Sequence, residues 1–247
     1  MLGTERREKK KLEQSAKFSI EIGGFPVVFD IPTMITTTVT FFLVLLLAIF
    51  ASRKLTMVPT GLQNFIEMII DFTNGIVRTS LDQKTAVRFY GLAFTLFLYL
   101  VIANELGLMF NIVTSEGHHE NAYAWWKSPT ANINAVFALA IGITLLAHFL
   151  GIVKSPKHYV KEYFQPYWFM FPIHIIDELA KPFTHGMRLW ANIFAGEIMI
   201  IVMLQMNWLF TGAPLMIWIG YSLFVGVVQA YIFTILAFIY LSQKISH

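Results

Sequence analysis

Arg188 precedes an almost unbroken apolar run, and the polar chemistry of the chain collects around it. An ionised group at membrane depth costs about 3 kcal/mol even on lenient scales. Arginine cannot escape that cost by losing its proton, because its pKa exceeds about 12. On a helix, Asn192 lies one turn later on the same face, with Thr184 and Lys181 one and two turns earlier. Two readings of Arg188 stand side by side. It is a fixed cation serving ion or anion chemistry inside the membrane, or it snorkels to the interface past Pro182 and Lys181. Glu197 weighs for the first. At about 100° per residue it points to roughly the opposite side of the helix from Arg188. It therefore cannot reach Arg188 along its own helix, and it suits a wet cavity on the other flank.

Further along, Ser222, Gly226 and Gln229 repeat at i, i+4 and i+7 and form one polar stripe. Gln229 can hydrogen-bond Arg188 if the two segments pack antiparallel; the plainer role is helix–helix glue. Asn104, Glu105, Asn132 and Asn134 sit toward one end of their segments, as interfacial caps, the favoured reading for Asn132 after Pro129, or as the lining of a water pathway from outside. His174, Asp177 and Glu178 precede Arg188. They form either a solvated helix start, where acids suit the dipole, or an inner aqueous vestibule. His148 reads as a membrane-boundary residue. No metal cluster, nucleophile–base pair or phosphate-cradling glycine loop appears, and no cofactor is expected.

The elements that must position these residues follow from composition. The chain has 247 residues, no cysteine, 56% hydrophobic residues and 13% charged ones, against about 25% charged in a soluble domain. The mean hydropathy is +0.62. An all-α polytopic membrane protein is expected. Without cysteine there is no disulfide framework, thiol nucleophile or thiolate metal site. A net charge of +3 is too small and too scattered for a nucleic-acid footprint. Residues 1–17 are charged, and the apolar stretch that follows the first loop is long enough to span, so no cleavable signal peptide is expected.

Residues 1–31 read as a polar tail and loop, and 32–247 as one membrane domain. Spans are expected at about 34–51, 89–113, 131–153, 172–207 and 214–242. Residues 60–80, with Gln63, Asn64, Glu67, Asp71, Asn74 and Arg78 largely on one face, read as an amphipathic helix in the interface. The last two segments are longer than a bilayer of about 30 Å requires, so they must tilt strongly or project. Loops carrying Arg53, Lys54, Arg78, Lys84 and Arg88, and Lys154, Lys157 and Lys161, vote for a cytoplasmic side. That places the N-terminus outside and the C-terminus inside, although the tail with Arg6, Arg7, Lys9, Lys10, Lys11 and Lys17 disagrees.

The stretch Lys181-Pro182-Phe183-Thr184-His185-Gly186-Met187-Arg188-Leu189-Trp190-Ala191-Asn192-Ile193-Phe194-Ala195-Gly196-Glu197 resembles the signature R-L-x-G-N-x-x-A-G-E of subunit a of F-type ATP synthases, bacterial type. Val228-Gln229-Ala230-Tyr231-Ile232-Phe233 resembles that family's Q-A-x-I-F segment. Asn104-Glu105-Leu106-Gly107-Leu108 and Pro129-Thr130-Ala131-Asn132 are similar to its two weaker motifs.

The resemblance implies a non-catalytic, proton-translocating stator subunit in a bacterial plasma membrane. Its implied partners are a rotating ring of c subunits, the b-subunit peripheral stalk, the remaining ATP synthase subunits and membrane lipid. Arg188 would separate two offset half-channels, supported by Gln229 and accompanied by Asn192 and Ser222. Glu197, Asn104, Glu105, Asn132 and Asn134 would serve the outer half-channel, and His174, Asp177 and Glu178 the inner one. Four positions depart from the pattern: Ala191 stands for a glycine, His185 for an apolar residue, Asn132 for a common acid, and Ser222 for a histidine of some bacterial members. The last argues against a Glu–His relay, while His185 is placed to tune access by titrating. The alternative is a secondary transporter binding an anionic substrate at Arg188. It calls for matched repeats and interrupted helices, which the sequence does not display.

Overall fold

The computed structural model describes residues 17–22, 25–52, 60–110, 113–116, 121–124, 126–164, 167–204 and 208–245. The tail residues Arg6 to Lys11, and Arg53 and Lys54, lie outside them. Eight helices and two short hairpins are described. Strands β1 (Lys17–Ile22) and β2 (Phe25–Asp30) pair antiparallel from Lys17↔Asp30 to Ile22↔Phe25. Only Gly23 and Gly24 separate them in sequence, which is the chemistry a two-residue turn favours. Strands β3 (Val113–Glu116) and β4 (Asn121–Ala124) pair likewise. Neither hairpin was expected from the sequence, where both segments read as polar loops.

Helix α1 (Ile31–Ser52) carries buried Thr36 and Thr40, which donate back to the carbonyls of Pro32 at 2.9 Å and Thr36 at 2.8 Å. Hydroxyls satisfied within their own helix make this polar run compatible with lipid. Helix α2 (Leu62–Ser80) buries Ile66, Thr73, Ile76 and Val77 as one stripe. A turn capped by Asp82, α3 (Gln83–Ala86), leads through a tight turn at Val87–Phe89 into α4 (Tyr90–Met109). The residues buried in α4, from Ala93 to Leu108, form one broad face turned into the bundle, with Leu98 buried on the other side.

Between α4 and α5 (Ile133–Lys154), residues 126–132 fold back into the bundle. Trp126 Nε1 donates to the Leu106 carbonyl at 3.0 Å, and Ser128 Oγ to the Ala103 carbonyl at 2.9 Å. The approach depends on Gly107, where a Cβ would fall 2.0 Å from Ser128 Cβ. Asn132 then caps α5, its Oδ1 accepting from the Asn134 N–H at 3.0 Å. A short helix α6 (Pro156–Tyr163), also unforeseen, connects to α7 (Phe171–Leu204) and α8 (Trp208–Ile245). At 34 and 38 residues, these two run to about 51 and 57 Å. The sequence suggested a start for the last segment near Pro214; α8 begins earlier and holds Pro214 in its second turn. That costs one backbone hydrogen bond.

The core draws Leu100, Val136, Leu189, Ile193 and Phe233 from α4, α5, α7 and α8. A second cluster around Val77, Ala93, Ala147, Phe238 and Leu241 fills one end. Large apolar side chains such as Phe41, Leu145, Phe149, Met216 and Phe224 face outward. Among the described residues five helices are long and apolar enough to cross a membrane. The chain is an all-α, multi-pass membrane protein.

Candidate ion-translocation site

The site is built on the antiparallel pair α7 and α8, and two contacts fix its register. His185 Nε2 donates to the Phe233 carbonyl at 3.0 Å, and Trp218 Nε1 to the Gly196 carbonyl at 3.3 Å. Between these anchors Arg188 stands level with Gln229 and Ala230. Arg188 is exposed, and so are Thr184, Ala191, Asn192 and Ala195 along the same face. The opposite face, with His185, Leu189, Ile193, Gly196 and Glu197, is buried. Among the described residues, no hydrogen bond or ion pair engages Arg188. Gln229 is buried at the same height without bonding the guanidinium.

His185, one turn before Arg188, fills its buried position through ring chemistry. It stacks on Phe233 with centroids 3.8 Å apart and meets Tyr240 edge-on at 5.6 Å. Its Nε2 must carry the proton, since a carbonyl only accepts. Nδ1 is buried with no partner.

Toward one end of the pair lies a polar cluster. Glu197 is 6% exposed, and its Oε1 accepts from the Ser128 N–H at 3.0 Å. Ser128 Oγ lies 2.7 Å from Thr130 Oγ1, which lies 2.6 Å from Asn104 Oδ1. Asn104 Nδ2 donates to the Gly226 carbonyl at 2.8 Å. The Ser128 and Thr130 hydroxyls hold two protons for three contacts (to Ala103, to each other and to Asn104), so their orientation can switch. Glu105 Oε1 and Ser222 Oγ are buried nearby without partners. Sequence reasoning missed Ser128 and Thr130. Their signal lay in the Pro129 segment, although nothing local told where it would dock.

Asn132 and Asn134 lie apart from this cluster. Asn132 Nδ2 donates to Asp30 Oδ2 and Thr33 Oγ1, each at 3.1 Å, which leaves its amide fully engaged. Asn134 is exposed in the first turn of α5.

At the other end, His174, Asp177 and Glu178 border a cavity of about 240 Å³ together with Tyr163, Lys181, Gln243 and Lys244. Glu178 meets Lys244 at 2.6 Å, Lys181 at 3.0 Å and His148 at 3.3 Å. Lys181 also reaches Asp177 at 3.2 Å. His148 Nδ1 lies 2.9 Å from the Tyr159 hydroxyl. Burial, together with the neighbouring Tyr163, pushes the Tyr159 phenol above its ordinary range. Lys244 and Tyr159 were not anticipated, and His148, near the end of α5, joins their network.

Residues 34–242 match the family described as ATP synthase A chain. The chain belongs to that family. Among its similar relatives, "ATP synthase subunit a" of Shouchella clausii is 41% identical over 226 residues, covering 89% of this chain and 93% of the relative. "ATP synthase subunit a" of Staphylococcus aureus strain JH9 is 41% identical over 241 residues, covering 94% and 98%. The ATP synthase A chain match takes in α7 and all but the last turn of α8, the two helices that carry Arg188, Glu197 and Gln229.

Proposed function

We propose that this chain is the proton-translocating stator subunit of a bacterial rotary ATP synthase, and that Arg188 separates two half-channels serving a ring of c subunits. The observation that carries this reading is Arg188 itself. It is a permanent cation on an uncovered helix face, followed by an apolar run and without a partner among the described residues. No described residue supplies its countercharge, and a carboxylate on the ring is of the right chemistry. The cluster of Asn104, Glu105, Glu197 and Ser222 supplies the outer pathway, and the cavity beside His174, Asp177 and Glu178 the inner one.

A ring carboxylate crossing lipid is neutral, because burying its charge is expensive. Beside Arg188 the charged form is favoured, and the proton leaves toward the inner cavity. The fixed positive charge repels a proton trying to pass straight between the pathways. Each charge gains about 2.3 kcal/mol per 100 mV of membrane potential. The phosphate chemistry belongs to other subunits. The b-subunit stalk is the second partner, and the plasma membrane of a bacterium is the location. The cationic end with Lys154, Lys181 and Lys244 faces the cytoplasm, with the C-terminus on that side and the N-terminus outside.

The test is purification in mild detergent followed by reconstitution. The complex is expected to retain a ring of small subunits and to pump protons on ATP addition, while the chain alone turns over nothing. Solute uptake by the chain alone would instead establish a self-contained transporter.

A further inference from the structure

Two buried polar atoms lack partners on the outer side of Arg188: Glu105 Oε1, against Gly226 of α8, and Ser222 Oγ, which projects from α8 toward Gly196 of α7. Glu105 Oε1 lies 3.0 Å from where a Cβ on Gly226 would be. Ser222 Oγ lies 3.4 Å from where a Cβ on Gly196 would be. Ser222 and Gly226 are about one helical turn apart, about 6 Å along the axis. Leu108 borders both positions, at 3.7 Å from the Gly226 Cβ site and 3.5 Å from the Gly196 one. Thus two glycines on facing helices omit the side chains that would otherwise fill the space around a carboxyl and a hydroxyl. Glu197 follows Gly196 directly in α7, and Ser222 packs against Gly196 one helical turn from Gly226, the residue that Glu105 meets.

A buried polar group without a partner is expensive, and more so at membrane depth. Water settles beside buried polar atoms that lack protein partners, and here a carboxyl oxygen and a hydroxyl both lack them, on either side of Leu108. We propose that Glu105 is a second proton-carrying carboxylate of the outer pathway, fed from Glu197 through Ser222 and bridging water. The Glu197 carboxylic acid releases its proton to water, and that water passes one of its protons to the Glu105 carboxylate. Glu197 is left ionised, Glu105 neutral and the water unchanged. Gly226 lies about one turn from Gln229, so Glu105 brings the proton nearest to the level of Arg188. The inference rests on the half-channel reading above and names the acid that completes it.

The experiment is ATP-driven acidification of inverted vesicles holding the whole complex, at matched assembly. Glu105→Gln is expected to slow pumping by about tenfold or more, the scale of a lost acid–base group. Glu105→Asp is expected to restore most of it. Leu108→Cys tests for water independently of the acid, because the natural chain has no cysteine. Aqueous silver ion is expected to block that variant and spare the wild type. Full pumping by Glu105→Gln, no rescue by aspartate, or silver-insensitive Leu108→Cys would each overturn the proposal. If Glu105→Gln does not assemble, the silver result alone decides. Arg188→Ala is run in parallel. An inactive Arg188→Ala beside a fully active Glu105→Gln removes this inference alone, whereas an active Arg188→Ala removes the half-channel reading beneath it.

Discussion

Glu178 on α7 and Lys244 in the last turn of α8 meet at 2.6 Å, and this pair ties the far end of α8 to the start of the Arg188 helix. The lysine side chain is 5% exposed and the carboxylate 15%, so the contact is largely shielded from solvent. The Lys154 Nζ donates to the Ile245 carbonyl beside it, and Lys244 lies 4.9 Å from the Tyr163 ring centroid.

This arrangement ranks two substitutions. Lys244→Met leaves Lys181 and His148 on Glu178, so its cost should stay below the roughly 3 kcal/mol of a buried charge left alone. Glu178→Gln removes the carboxylate that both lysines share and should cost more. The double variant should lose less than the sum of the single ones, because the groups touch. Thermal stability of the detergent-solubilised complex measures this, and strict additivity would show that the pair does not interact.

His185 holds the register of α7 on α8 through the Phe233 carbonyl and ring. His185→Leu keeps most of the volume and loses one hydrogen bond, worth about 1 kcal/mol. His185→Ala opens a void beside Phe233 and should cost about 3 kcal/mol. Equal melting temperatures for the two variants would contradict a packing role.

Gly107 permits the return of residues 126–132 into the bundle. Gly107→Ala places a methyl 2.0 Å from Ser128 Cβ and 2.4 Å from Ser128 Cα. The loop must shift, at a cost of about 1–3 kcal/mol, and with it the N–H that binds Glu197. Reduced retention of the subunit in the complex after mild heating, with slower pumping by what remains, is the expected result. Gly142→Ala, where nothing lies within 4 Å, should be neutral and serves as the control.

The helices were legible because lipid forces long apolar runs, and those runs carry their own boundaries. The block around Arg188 was legible because its residues are neighbours on one helix. What stayed hidden depends on which elements dock together. Asn132 reads in sequence as a cap, which it is, but nothing local told that its amide would also meet Asp30 and Thr33, about a hundred positions away. Lys244 carries no signal of its own in the sequence, and only the antiparallel register brings it to Glu178. His185 was set down as an access-tuning group, and the structure adds the carbonyl and ring that occupy it. The hairpins were invisible because such short strands carry too little periodicity beside polar loop residues.

The claim that Arg188 is the obligatory cation of the ion path is tested most directly by ATP-driven acidification of inverted vesicles. Wild type, Arg188→Ala and Arg188→Lys are compared at matched assembly. The account predicts acidification by wild type, none by the alanine variant and little by lysine, which can lose its proton when buried. Equal acidification by wild type and Arg188→Ala would make Arg188 an interfacial anchor and contradict the account.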